Sequence, residues 1–204
     1  MATAPSRSRP RLVLATLNPG KVRELVALLG DVPFDIVSLA EVPGATLPEE
    51  TGTTYVENAL LKARAGARLT GSATLADDSG LEVDALDGQP GVRSARFGGA
   101  GLDDAGRVAL LLSRLRDVPA GRRGARFRCV IAIVDASGSG GERTVEGVAE
   151  GEIAMEPRGT GGFGYDPVFF YPPLRQTFGE LTDADKARVS HRALAARKAR
   201  ALLT

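Results

Sequence analysis

Short aliphatic runs alternate along this chain with amphipathic stretches that carry their own helix-start signals, and that alternation restricts it to folds in which helices pack on a sheet. Arg11–Thr16 (RLVLAT) reads as a buried strand, broken by Asn18-Pro19-Gly20. Pro19 suits a first helical turn, and Val22, Leu25, Val26 and Leu29 follow at helical spacing until Gly30. Phe34–Leu39 reads as a second strand. Thr54 and Glu57 have capping-box spacing and open a helix running to about Leu69. Val56, Ala59, Leu60, Ala63 and Ala67 form its apolar stripe, and Tyr55, Asn58 and Lys62 share a different, polar face. Ala73–Ala76 leads as a strand into Asp77-Asp78-Ser79-Gly80, and Leu81–Val83 resumes extended structure. Asp103 caps a helix to Leu115 with Val108, Leu111, Leu112 and Leu115 inward. Arg126–Asp135 and Arg143–Glu150 flank Ser137-Gly138-Ser139-Gly140-Gly141 as the arms of a hairpin. Val168–Tyr171 is a further strand, and Thr182 with Asp185 repeats the capping spacing before a C-terminal helix broken near Ser190. The pattern predicts an α/β (α+β mixed) fold built on a mixed sheet.

Composition removes several alternatives. Lys and Arg total 26 against 25 Asp and Glu, a net charge of +1, which argues against a dedicated nucleic-acid scaffold. One Cys and one His supply neither a disulfide nor a zinc ligand set, so zinc-dependent purine deamination is excluded. The longest apolar run, Cys129–Val134, is far short of the ~20 residues of a membrane helix. The opening MATAPSRSRP has no apolar segment after its arginines; residues 1–10 read as a disordered tail rather than a signal peptide. Residues 11–204 are expected to form one cytoplasmic domain, without a membrane or nucleic-acid partner, burying roughly 70% of the unfolded surface. Only four of the 26 basic residues are Lys, so the lysines are worth locating.

Four constellations bear chemistry. Thr16-Leu17-Asn18-Pro19-Gly20-Lys21 sits between a strand and a helix start, where backbone N–H groups favour an anion. An ordinary βα turn with an N-capping Asn has the same letters. The Walker pattern is absent, which argues against a P-loop NTPase. Glu49-Glu50 and Asp77-Asp78 are adjacent acids at loop or strand-end positions; paired carboxylates there suit magnesium, which takes one or two of them plus substrate phosphates, although surface acids are commonly just solvated. Gly159-Thr160-Gly161-Gly162-Phe163-Gly164 matches GxGxxG, but a turn and a strand follow it instead of a helix, so the dinucleotide reading fails. The loop does present Phe163 and Tyr165 for stacking on a base. Lys186 with Ser190-His191-Arg192 gathers donors suited to a purine's oxygens, or serves a helix cap.

Taken in order, these segments resemble one family, the non-canonical purine nucleoside triphosphate pyrophosphatases (the inosine/xanthosine triphosphatase group). The matching stretches are Thr16–Lys21, Glu49–Gly52, Glu57–Lys62, Ala76–Leu81, Gly161–Pro167 and Ser190–Arg192. The chain departs at Ala193, where the family often has Gly, and at Val148-Ala149-Glu150, which lacks a common Trp. The resemblance implies Mg²⁺-dependent cleavage of an NTP to NMP and pyrophosphate. It also implies a homodimer and an elongated mixed sheet flanked by helices, with the active cleft between two lobes. It makes Asp78 the general base and a magnesium ligand, with Glu50 as its metal partner. It places the triphosphate on Thr16, Asn18, Lys21 and Lys62, within a substrate segment that includes Leu17, Pro19 and Gly20. Ser79, Phe163, Gly164, Tyr165, Asp166, Lys186, His191 and Arg192 would hold the nucleoside. Donors from His191 or Arg192 would pair with the oxygen at purine position 6 and oppose adenine's amino group. Two other readings compete: a Maf-like pyrophosphatase of other modified nucleotides, against which Ser190-His191-Arg192 argues, and a non-catalytic nucleotide- or RNA-binding module using the 22 Arg.

Overall fold

A computed structural model describes residues 9–99, 101–136 and 141–204. Most of the expected tail, residues 1–8, lies outside them, as do residues 137–140 of the expected hairpin loop. Seven strands form one sheet in the order β2-β1-β3-β4-β5-β6-β7. They are β1 (Arg11–Leu14), β2 (Asp35–Ser38), β3 (Ala73–Val83), β4 (Gly124–Val134), β5 (Glu142–Ile153), β6 (Phe169–Tyr171) and β7 (Gln176–Thr177). β1 runs parallel to β2 and β3, and the remaining neighbours are antiparallel, so the sheet is mixed as expected. The helices are α1 (Pro19–Leu29), α2 (Tyr55–Thr70), α3 (Asp104–Arg114), α4 (Asp183–Val189) and α5 (His191–Leu203). Ser190 ends α4 and caps α5, which is the break foreseen in the C-terminal helix.

The continuous apolar runs follow from helices on both faces of the sheet. Leu12, Leu14, Leu75, Cys129, Ile131 and Ile133 point to the face covered by α1 and α5. The alternate residues Val13, Ala15, Ala76, Val130, Ala132 and Val134 point to the face covered by α2. A third cluster, centred on Leu81, Phe127, Leu111, Leu115, Phe169 and Phe178, fills the far ends of β3 and β4 beneath α3.

Three local expectations differ. Asp77–Gly80 does not interrupt or end a strand: β3 is continuous, with Asp77 opposite Ile131 and Asp78 opposite Val130 in the ladder with β4. The polar letters read as a break, but the backbone pairing survives because cations from both faces satisfy the side chains. α2 buries Ala59, Ala63 and Ala67 of its apolar stripe as expected, but it also buries Asn58 and Lys62 of the polar face and leaves Val56 exposed. Val26 of α1 is likewise exposed, while Leu25 and Leu29 carry the packing.

Candidate active site

The turn after β1 begins the site. Asn18 is the N-cap of α1; its Oδ1 accepts from the backbone N–H of Gly20 at 2.8 Å and of Lys21 at 3.1 Å. Thr16 Oγ1 accepts from Asn18 N at 3.2 Å. The turn is thus a well-capped βα turn, and it also presents Asn18 and Lys21 to a cleft. Gly20 is required here: a Cβ would stand 2.8 Å from the Phe163 ring, so this glycine lets the glycine loop close on α1. Leu17 points away and is exposed.

The paired aspartates diverge because successive strand residues face opposite sides. Asp77 continues the Leu75 face and is fully buried. Its Oδ2 lies 3.0 Å from Lys21 Nζ and 3.3 Å from Arg192 Nε. Burial alone would raise its pKa, but Lys21, Arg192 and Lys62 outweigh that and hold the carboxyl well below the usual aspartate range. Asp78 continues the Ala76 face toward α2, where Lys62 Nζ lies 3.2 Å from its Oδ1 and Asn58 Nδ2 donates to its Oδ2 at 3.2 Å. Burial pushes Asp78 above the ordinary aspartate value, against the pull of Lys62. Lys62 also donates to Glu50 Oε1 at 2.5 Å, and Arg96 Nη2 lies 3.7 Å from Glu50 Oε2. Burial works to strip the Lys62 proton, yet Asp78, Asp77 and Glu50 keep the ammonium charged. Of the acid pair in the preceding loop, Glu50 joins this cluster and Glu49 is exposed. Glu50 and Asp78 both pair with Lys62, which brings two carboxylates, hard oxygen donors of the kind magnesium takes, to one end of the cleft.

The other end of the cleft is built by the glycine loop and α4–α5. Asp166 Oδ2 accepts from Phe163 N at 2.8 Å and from Lys186 Nζ at 2.6 Å, which fixes the loop to α4. Lys186 also donates to Glu24 Oε1 at 2.7 Å. Arg192 spends its guanidinium on Glu24 Oε2 at 2.5 Å, Asp77 Oδ2 and Ser79 Oγ at 2.9 Å. The Phe163 ring lies under both cations, 5.1 Å from Lys186 Nζ and 5.4 Å from Arg192 Cζ. Tyr165 is buried, and its hydroxyl donates to Ser94 O at 2.9 Å. His191 stacks on Phe127 with ring centroids 4.5 Å apart. Burial, with Arg192 and Lys186 nearby, holds His191 well below its usual pKa, so the imidazole is neutral. Its Nδ1 is buried without a hydrogen-bond partner among the described residues.

These groups surround one solvent-open cleft. Asn18, Lys21, Glu50, Asp78 and Ser79 line one end, and Phe163–Asp166, Lys186, His191 and Arg192 line the other. Thr16 and Lys62 sit just behind that wall, buried. The sequence reading overlooked Glu24, the lining residues Asp104 and Arg107, and the part of Asp77 as the buried anion joining both ends. Glu24 lies one turn after Gly20 on α1, a position that marks it only once the helix is known to face the site.

The chain matches the model of the Ham1 family over residues 12–202. It belongs to that family. It is 52% identical to the dITP/XTP pyrophosphatase of Exiguobacterium sibiricum, covering 95% of this chain and 97% of that protein. Identity to the Desulforamulus reducens dITP/XTP pyrophosphatase is 53%, covering 95% of each. The solved HAM1 protein of Coxiella burnetii superposes with a TM-score of 0.86 at 41% identity, covering 95% of this chain and 98% of that one. The dITP/XTP pyrophosphatase structure from Mycobacterium abscessus gives 0.74 at 46% identity over the same shares.

Proposed function

We propose that this Ham1-family chain hydrolyses non-canonical purine nucleoside triphosphates (XTP, ITP and dITP) to the monophosphate and pyrophosphate, clearing them from the nucleotide pool. The observation that carries this reading is one cleft with two chemistries: a carboxylate–lysine cluster at one end and an aromatic, donor-lined wall at the other. Relatives of about 50% identity that bear the name dITP/XTP pyrophosphatase support it.

Thr16, Asn18, Lys21 and Lys62 take the triphosphate, the charge of the two lysines offsetting the charge that builds on the departing pyrophosphate. Asp78 acts as general base: it accepts a proton from the attacking water as that oxygen bonds to the α-phosphorus and the bond to the β-phosphate oxygen breaks. Asn58 and Lys62 orient its carboxylate. Glu50 and Asp78 would hold Mg²⁺, whose remaining ligands come from phosphate oxygens and water; when bound it neutralises phosphate charge. Phe163, Gly164, Tyr165 and Asp166 with Lys186 hold the nucleoside, and Ser79 and Arg192 close its wall. A donor from His191 or Arg192 pairs with the oxygen at purine position 6. The reading brings with it a single two-lobed domain over residues 11–204 and a cytoplasmic homodimer. Among the described residues no helix is long and apolar enough to cross a membrane.

Product analysis with ITP and Mg²⁺ tests the chemistry: pyrophosphate is expected, and orthophosphate would place cleavage at the other end of the triphosphate. Selectivity is tested by kcat/KM across XTP, ITP, dITP, ATP and GTP. A donor left facing adenine's amino group costs about 1–3 kcal/mol, roughly 10–100-fold. ATP or GTP turned over as well as ITP would sink the reading.

A further inference from the structure

Four cationic side chains line the cleft: Lys21, Arg107, Lys186 and Arg192. Three are committed to buried or half-buried acids. Lys21 pairs with Asp77, Lys186 with Asp166 and Glu24, and Arg192 with Glu24 and Asp77. Arg107 differs. It projects from α3, which packs on the cluster at the far end of the sheet and not on the α1–α5 face. Among the described residues its one side-chain hydrogen bond runs from Nη1 to Asp104 Oδ1 at 3.3 Å, one turn earlier on the same helix. Asp104 is itself largely exposed, and an exposed i,i+3 pair holds a guanidinium only weakly. Nη2 has no partner among the described residues, and Nε is buried with none. A guanidinium has five N–H donors and no acceptor, so Arg107 is the cleft cation with donors to spare.

Its position selects the half of the substrate. Asp104 Oδ2 accepts from Gly164 N at 2.8 Å, which ties the start of α3 to the glycine loop that flanks the nucleoside end. Lys21 and Asn18, at the phosphate end, ride on α1.

We propose that Arg107 is a specificity-determining residue that hydrogen-bonds, from the wall formed by α3, an acceptor oxygen on the nucleoside. This deepens the nucleotide-hydrolase reading and rests on it. Two oxygens have the right chemistry: the one at purine position 2, present in xanthine and absent in hypoxanthine, and the ribose 2′-hydroxyl, absent in dITP. With the contact at position 2, the same donor faces guanine's amino group, donor against donor, which gives GTP rejection a physical cause; with the contact at the ribose it does not discriminate against GTP.

The test is steady-state kinetics of the wild type, Arg107→Ala and Arg107→Lys with XTP, ITP, dITP and GTP, alongside thermal melts. Arg107→Ala should raise KM about 10-fold or more for the substrate bearing the contacted oxygen, with kcat nearly unchanged, and Arg107→Lys should recover part of the loss. A collapse of the XTP:ITP ratio assigns the base oxygen; a collapse of the ITP:dITP ratio assigns the ribose. No change, or an equal loss on every substrate, overturns the inference. Should Arg107→Ala melt early, the same ratios read in Arg107→Lys decide. A wild type that releases no pyrophosphate from any of the four would instead refute the hydrolase reading, whatever the variants do.

Discussion

Asp77 and Asp78 are neighbours in sequence with different work, because a strand sends them to opposite faces. Asp77 meets Lys21 and Arg192 while fully buried; Asp78 meets Lys62 and Asn58 at the edge of the cleft. The adjacent acids marked the spot, and only the uninterrupted ladder of β3 separates their parts. Asp77→Asn should destabilise the fold by about 3 kcal/mol, since it strips a carboxylate from buried cations. Asp78→Asn should leave the melting temperature nearly unchanged, because Lys62 keeps Glu50 at 2.5 Å, while kcat falls about 10²–10⁴-fold. Thermal melts and turnover of both variants check the pair; near-normal turnover in Asp78→Asn removes it as the base. Three of the four lysines, Lys21, Lys62 and Lys186, gather around this cleft. Glu24 left no mark in the sequence, because its partners lie far along the chain. Lys186 is 162 positions from Glu24, and local spacing carries no trace of that pairing.

Capping signals located the helices well: Asn18, Thr54, Asp103 and Thr182 each cap the helix they announce, and the break expected near Ser190 is the cap of α5. What the helices touch was harder to read. Tyr55, Asn58 and Lys62 form a polar face that ordinary amphipathic logic turns to solvent, yet it faces the buried carboxylates. The site also needs α5 drawn close to the sheet, and one glycine permits it. A Cβ on Gly147 of β5 would stand 2.2 Å from His191 O and 2.4 Å from Ala195 N. Gly147→Ala should therefore push the start of α5 outward, costing about 1–3 kcal/mol. Because His191 and Arg192 open that helix, KM for ITP should rise in the same variant. A melt and a KM measurement check both; an unshifted KM would mean α5 repositions without disturbing the nucleoside wall. At the other helix start, Asn18→Ala should cost about 1 kcal/mol through the lost cap. It should also weaken triphosphate use more than product binding, read as KM for ITP against Ki for IMP.

Over the whole molecule the 22 Arg had left room for a polyanion-binding surface, and several of them are instead paired within the fold. Arg126 and Arg128 bridge Glu82, Asp84, Glu146 and Glu150 across β3, β4 and β5, and Arg64 holds Glu142. Arg123 is buried and donates to the carbonyls of Val118, Leu115 and Ala154. Global stability depends on pH near neutrality through the single histidine. His191 is buried and neutral in the native state, with its pKa far below 6.5. In the unfolded chain it protonates near 6.5, so below that pH the unfolded state binds a proton the native state refuses. Stability from this source is complete above pH 6.5 and falls by about 1.4 kcal/mol per pH unit beneath it. Asp78 and Asp166 act in the opposite sense, since burial raises them and the native state takes up their protons first as pH falls. Comparing wild type with His191→Gln isolates the histidine. Denaturant unfolding from pH 7 to 5 should show the wild type losing stability relative to the variant at that slope. Parallel curves would mean the imidazole charges inside the folded protein.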